Sequence, residues 1–91
     1  MDTQSKISNL IKEGIDVLKI HIIDESYKHV SHQKDTRGGH FKLLVISDNF
    51  IDMKLIERHK LIYQILNKMM KVEIHALSMQ LLTDEEYRNQ C

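Results

Sequence analysis

Proline and tryptophan are absent from the 91 residues, glycine occurs three times, cysteine once, and aromatic side chains make up only 5%. Each shortage excludes something. A lone cysteine at the extreme C-terminus, Cys91, leaves no internal disulfide framework and no cysteine-only zinc site, which fits a reducing compartment. Three glycines form no Walker or dinucleotide fingerprint. Gly38-Gly39 is a flexible entry to a strand rather than the G-x-x-G phosphate clamp of RNA-binding KH domains. The longest apolar runs, Ile22-Ile23 and Leu43 to Ile46, fall far short of a membrane span, and Met1 to Ser8 has neither a secretory apolar region nor an Arg-rich transit pattern. The expected location is cytoplasmic, or the mitochondrial matrix if an import segment has been removed, with no membrane partner. Net charge is missing too. Thirteen Lys and Arg balance thirteen Asp and Glu, so only a local cluster gives the chain an electrostatic reason to seek nucleic acid.

What is present, 42% apolar and 29% charged residues, suits one domain over 1–91 with a thin two-layer core and no large enclosed substrate pocket. Ile7, Leu10 and Ile11 recur at helical spacing between Thr3 and Glu13, and Gly14 follows where a left-handed helix stop belongs. Leu18, Ile20 and Ile22 alternate with Lys19 and His21, predicting a strand over 18–24. Phe41, Leu43 and Val45 alternate likewise over 40–47. Leu55, Ile62, Leu66 and Met69 predict one long core helix from Lys54 to Lys71, with Asp52 as its N-cap and Glu57 in its first turn. His75, Leu77, Met79 and Leu81 share one parity of a third strand. Thr83 with Glu86 three residues later is a capping box opening a short last helix. The order is α-β-β-α-β-α, an α+β fold whose first two strands pair antiparallel and whose third lies parallel across a right-handed crossover, giving a three-stranded mixed sheet with helices on one face.

Chemistry concentrates in histidine. No Ser or Cys nucleophile comes with a base and an orienting group, and Asp24-Glu25 reads as a solvated turn, so neither a catalytic residue nor a small-molecule substrate is expected. Six histidines remain. His21 falls on a polar strand face, and His59 sits beside Arg58 and Lys60 at the start of the core helix. His29 and His32 lie within, and His40 just beyond, the segment from Tyr27 to Gly39, whose only apolar members are Tyr27 and Val30 and which is therefore expected to be mobile. His75 follows a helix-to-strand turn, where backbone can hold an imidazole rigidly yet leave it at the surface.

Five blocks then become specific: Asp24-Glu25-Ser26-Tyr27-Lys28-His29, His40-Phe41-Lys42, Val45-Ile46-Ser47-Asp48-Asn49-Phe50, Arg58-His59-Lys60-Leu61-Ile62-Tyr63 and Ile74-His75-Ala76-Leu77. In order and spacing they resemble the BolA family across nearly the whole chain. The resemblance implies a class II KH-like fold. It also implies pairing with monothiol glutaredoxins of the CGFS type and a bridging 2Fe-2S cluster shared with glutaredoxin and glutathione, in cluster trafficking or iron sensing; the isolated chain would carry none. On that resemblance His75 is the constant metal ligand and His29 occupies the loop position of the second. The chain departs from the pattern in a longer loop before His40, in Lys60 where Arg is usual, in Tyr87 where Trp is usual, and in Ile51-Asp52 where a glycine commonly follows the Phe50 block.

Two other readings stand beside this one. Transcription regulation, also attached to the family, would bring Arg58, His59, Lys60, Lys68 and Lys71 of the core helix to DNA; five bases against one acid give 54–71 a charge of +4, though such residues are ordinarily a solvated face. A metal site made only of His29, His32 and His40 would need no partner.

Overall fold

The computed structural model describes residues 2–26 and 39–90; His29, His32 and the expectation of a mobile connection lie outside them. Helix α1 (Thr3–Gly14) precedes strands β1 (Lys19–Asp24) and β2 (Gly39–Ile46). A 3-10 turn (Asp48–Phe50) leads to helices α2 (Leu55–Ile65) and α3 (Asn67–Met70), strand β3 (Ile74–Leu82) and helix α4 (Asp84–Asn89). The sheet order is β1-β2-β3, with β1 antiparallel and β3 parallel to β2, as the crossover through α2 requires. On one sheet face Phe41, Leu43, Val45 and Leu81 meet Ile7 and Ile11 of α1 and Ile62, Leu66 and Met69 of the crossover. Among the described residues no helix covers the opposite face, where His21, Ile23, Lys42, Leu44 and Gln80 line a shallow pocket.

Local chemistry departs from the sequence expectation in four places. Gly14 is not a left-handed stop: it completes α1, the chain leaves through extended Ile15, and the Ile15 N–H still donates to the Ile11 carbonyl at 3.0 Å. What the glycine provides is space, because a Cβ there would stand 2.9 Å from Cδ1 of Ile65 in α2. Asp52 does not cap α2. It takes a left-handed backbone, φ 65°, and the N-cap position falls to Lys54, whose N–H donates to the Glu57 carboxylate at 2.7 Å. The long helix is broken at Leu66, where φ −95° and ψ 11° leave the helical region. Leu66 and Met69 both still face the core, and past the break the chain continues through α3 to β3. Finally Leu55, expected on the apolar stripe, is 62% exposed, and Arg58 occupies the inward position at 8%.

Burying Arg58 is possible because every direction it faces offers an acceptor. Its Nε donates to the Met53 carbonyl at 3.0 Å, and Nη1 to the Leu81 carbonyl at 3.0 Å. Nη1 and Nη2 donate to the two oxygens of Glu86 at 2.6 and 3.1 Å. The guanidinium also lies 5.7 Å from the Phe50 ring centre. Glu86 doubles as the third residue of the Thr83 capping box, accepting the Thr83 N–H at 2.8 Å. One carboxylate thus starts α4 and fastens it to α2.

The Arg58 hydrogen bond, helped by the Thr83 N–H, holds the Glu86 carboxyl down at about 2, against an ordinary 4.5. A carboxyl depressed on folding adds stability that is complete above its unfolded value and is lost as pH falls toward its folded one. The wild-type chain should therefore lose stability between about pH 4.5 and pH 2, and Glu86→Gln should be less stable at neutral pH with a flatter acid limb. Urea unfolding across that range checks this, and equal slopes in the two proteins would contradict it.

Candidate functional site

The chemistry gathers at one corner of the sheet, where β2 and β3 begin. Gly39 pairs with Ile74, but His40 pairs with Ala76, so His75 is an extra residue in the β3 ladder. Plain alternation would have turned His75 inward with Leu77 and left Ile74 outside. Because of the bulge Ile74 is 1% exposed and buried in the core, while the His75 imidazole is exposed. It comes to rest against His40, with ring centres 5.1 Å apart and planes tilted by 46°. His40 is half-buried, and its Nε2 is buried. Glu25, His40, Phe41, Ala76, Leu77 and Ser78 line an open pocket of about 200 Å³ beside the pair.

The same corner holds both ends of the connection between β1 and β2. The His40 N–H donates to Ser26 Oγ at 3.0 Å, and the Glu25 N–H to the His40 carbonyl at 2.7 Å. The Gly39 N–H donates to the Glu73 carbonyl at 3.0 Å, and the Glu73 side chain pairs with Lys6 of α1 at 2.8 Å. The Ser26 hydroxyl, and after it the Ser26 N–H that donates to Asp24 Oδ1 at 2.9 Å, hold the Asp24 carboxyl below the usual range. Gly39 is required here by volume: a Cβ would lie 2.6 Å from Phe41 Cε2 and 2.7 Å from Ser26 Oγ. Gly39→Ala should cost about 1–3 kcal/mol through overpacking, seen as a lower urea midpoint with an unchanged slope. An unshifted midpoint would mean that Phe41 and Ser26 yield freely.

The remaining sequence candidates are scattered. Arg58 is withdrawn from any binding surface, because its charge is spent on Glu86 and two carbonyls, so the expectation of a surface arginine is corrected. His59 is half-buried, while Lys60, Lys68 and Lys71 are exposed. The break at Leu66 separates Lys60 from the other two, so they do not form one helix face. Among the described residues no group of three His, Cys, Asp or Glu side chains is arranged to hold a metal ion by itself. No helix among them is long and apolar enough to cross a membrane. Sequence reasoning missed the His40–His75 contact, because a bulge leaves no periodic trace; the one available signal was that the apolar parity of the third strand, running back from Leu81, skips Ile74.

A small α+β domain with one helix-covered sheet face, one open face and an imidazole pair at the sheet corner is the class these features define. More narrowly, the chain belongs to the BolA-like protein family, whose sequence pattern matches residues 11–86. It is 36% identical over 66 residues to the DNA-binding transcriptional regulator BolA of Haemophilus influenzae, covering 72% of this chain and 64% of that protein. It is 32% identical over 87 residues to SufE-like protein 1, chloroplastic/mitochondrial, of Arabidopsis thaliana, covering 89% of this chain and 24% of that protein. The solved BolA domain of SufE1 from Arabidopsis thaliana superposes with a TM-score of 0.81 at 31% identity, covering 94% of this chain and 98% of that one. BolA1 from the same plant gives 0.82 at 27% identity, covering 94% and 96%.

Proposed function

We propose that the protein is a non-enzymatic partner of CGFS monothiol glutaredoxins, with which it co-ligates a bridging 2Fe-2S cluster through histidines. The observation that carries this reading is the bulge that turns His75 outward against His40. A shared cluster asks this chain for two nitrogen donors rather than a complete ligand set, as imidazoles provide on one iron of Rieske-type centres. His75 offers an exposed ring on a rigid strand. His29, which the family resemblance makes the second ligand, is three peptide units from Ser26, no more than about 11 Å of chain, and Ser26 is bonded to the His40 backbone. His40, with its Nε2 buried, serves as the wall that fixes the His75 ring.

When bound, such a cluster supplies iron and sulfide that can be passed on or sensed. This chain's part is to present neutral imidazoles, to hold one of them against rotation, and to leave the pocket beside them open to the partner's surface. Mixing the protein with a CGFS glutaredoxin, glutathione, ferrous iron and sulfide should give a heterodimer with an iron–sulfur absorption spectrum unlike that of glutaredoxin alone. An unchanged spectrum would refute the proposal.

A second reading, DNA binding, is favoured by relatives from Haemophilus influenzae and Escherichia coli that are named DNA-binding transcriptional regulators. With Arg58 buried, its basic surface is reduced to Lys54, Lys60, Lys68 and Lys71, with His59 half-buried among them. A salt-dependent titration with duplex DNA separates the two readings.

A further inference from the structure

Both outer edges of the sheet are touched by side chains, but one is only partly closed. On β1 the Ile22 carbonyl faces outward and accepts a hydrogen bond from Gln4 Nε2 of α1 at 3.3 Å. On β3 the alternation is set by two observations: the Leu82 carbonyl accepts from Ser47 N on the β2 side, and the Leu81 carbonyl accepts from Arg58 on the other. Successive peptide groups alternate along a strand, so Ala76, Ser78, Gln80 and Leu82 bond toward β2, whereas Leu77, Met79 and Leu81 face outward. Arg58 occupies the carbonyl of Leu81. The N–H and C=O groups of Leu77 and Met79 meet no hydrogen-bond partner among the described residues.

Side-chain burial agrees. Phe41 and Leu43 of β2 are 5% and 1% exposed, yet Leu77 and Met79, their register partners on β3, are only half-buried. The strand also lacks the usual deterrents to edge pairing: Ile74–Leu82 contains no Lys, Arg, Asp, Glu or Pro, and its one bulge lies at the far end, at His75.

We propose that this edge pairs with the same edge of a second copy, antiparallel, about a two-fold axis at Ser78. The occupant follows from the arrangement of the free groups. Leu77 and Met79 flank Ser78 symmetrically, so a two-fold there sets Leu77 opposite Met79 of the other copy twice over, and all four groups of each protomer are used in four hydrogen bonds. The axis sets the residue at its centre against its own copy, where a charged side chain would repel itself; Ser78 is uncharged, and no Lys, Arg, Asp or Glu flanks it on the strand. The half-buried Leu77 and Met79 would meet their counterparts on the helix-covered side, giving a continuous six-stranded sheet. This edge adjoins the histidine corner, since Leu77 and Ser78 also line the pocket beside the imidazole pair, but the pairing itself needs no metal or glutaredoxin.

So short an interface is below the standard size for stable complexes, and the expected dissociation constant is on the order of 100 µM to 1 mM. Sedimentation equilibrium of the full chain without metal, up to about 2 mM, should show a monomer–dimer equilibrium. Amide exchange at Leu77 and Met79 should slow as concentration rises. Ser78→Lys changes an exposed side chain on the open face and sets two ammonium groups at the axis; it should weaken dimerisation at least tenfold while leaving the circular dichroism and unfolding midpoint near wild type. Met79→Pro, which removes one outward N–H, should do the same if it folds. A monomer throughout that range overturns the proposal. So does a dimer that Ser78→Lys leaves intact, or one in which the Leu77 and Met79 amides gain no protection.

Discussion

His75→Ala is expected to abolish the histidine-ligated cluster spectrum in the glutaredoxin heterodimer while leaving the fold essentially unchanged. The two halves of this expectation have different causes. The His75 ring is exposed on a bulge, so its removal opens no core cavity, and Ile74, the neighbouring residue that does enter the core, is untouched. In the proposed cluster site, by contrast, the other imidazole described at that corner, His40, has its Nε2 buried and does not replace it. His40→Ala removes the wall rather than the ligand, and a loss of about 10–100-fold in cluster affinity is expected, as for other groups that orient ligands. His29→Ala should weaken the cluster more than His32→Ala; the reverse order would move the second ligand to His32 without disturbing the role of His75. Visible absorption and circular dichroism of the reconstituted heterodimers, with native mass spectrometry to count partners, distinguish these outcomes. A wild-type spectrum from His75→Ala would sink the ligand assignment.

Arg58→Ala should be the most destabilising change outside the apolar core. It removes four hydrogen bonds, strands the buried Leu81 carbonyl, and frees the carboxylate that starts α4. A loss of about 3 kcal/mol is expected from breaking a charge-assisted buried network. For a domain of this size that corresponds to a melting point lower by roughly 12–20 °C. Arg58→Lys should recover little of it, because an ammonium cannot reach two carbonyls and a carboxylate with a planar fork. Thermal melts followed by circular dichroism provide the measurement, and a shift of only a degree or two would mean that water replaces the guanidinium. The same result guards the DNA reading: weaker DNA binding by an Arg58 variant would report an unfastened α4 rather than a lost phosphate contact.

Elements whose identity depends on local pattern were legible in the sequence. The alternation in β1 and β2, the Thr83–Glu86 box and the element order all follow from residue spacing, because a two-residue or near-four-residue period is a direct image of which face is covered. Tertiary packing overrode the pattern elsewhere. Arg58 reads as a surface cation, since nothing nearby in sequence announces that Leu81, Glu86 and Met53 will converge on it. Gly14 reads as a turn although its purpose is the approach of Ile65, 51 residues away, and that distance is invisible to any local window. The candidate site was half legible. His75 could be picked out from its position and from family resemblance, but its contact with His40 depends on one inserted residue in a parallel ladder, which shifts the face without altering composition.

Asp52 and Gly39 show that two positions can favour glycine for unrelated reasons. Asp52 lies in the Ile51-Asp52 stretch where the family resemblance leads one to expect a glycine, and its φ of 65° shows what is filtered there: a dihedral angle. Aspartate passes that filter, since its short polar side chain tolerates the left-handed region better than most; asparagine should pass as well, and valine or isoleucine should not. Gly39 filters by volume, its backbone lying outside the left-handed region and its neighbours leaving no room for a methyl group. Substitution histories at the two sites should therefore diverge. The turn before α2 can drift among glycine, asparagine and aspartate without moving Phe50, whereas at the entry to β2 any larger residue carries an overpacking cost unless Phe41 and Ser26 give way with it.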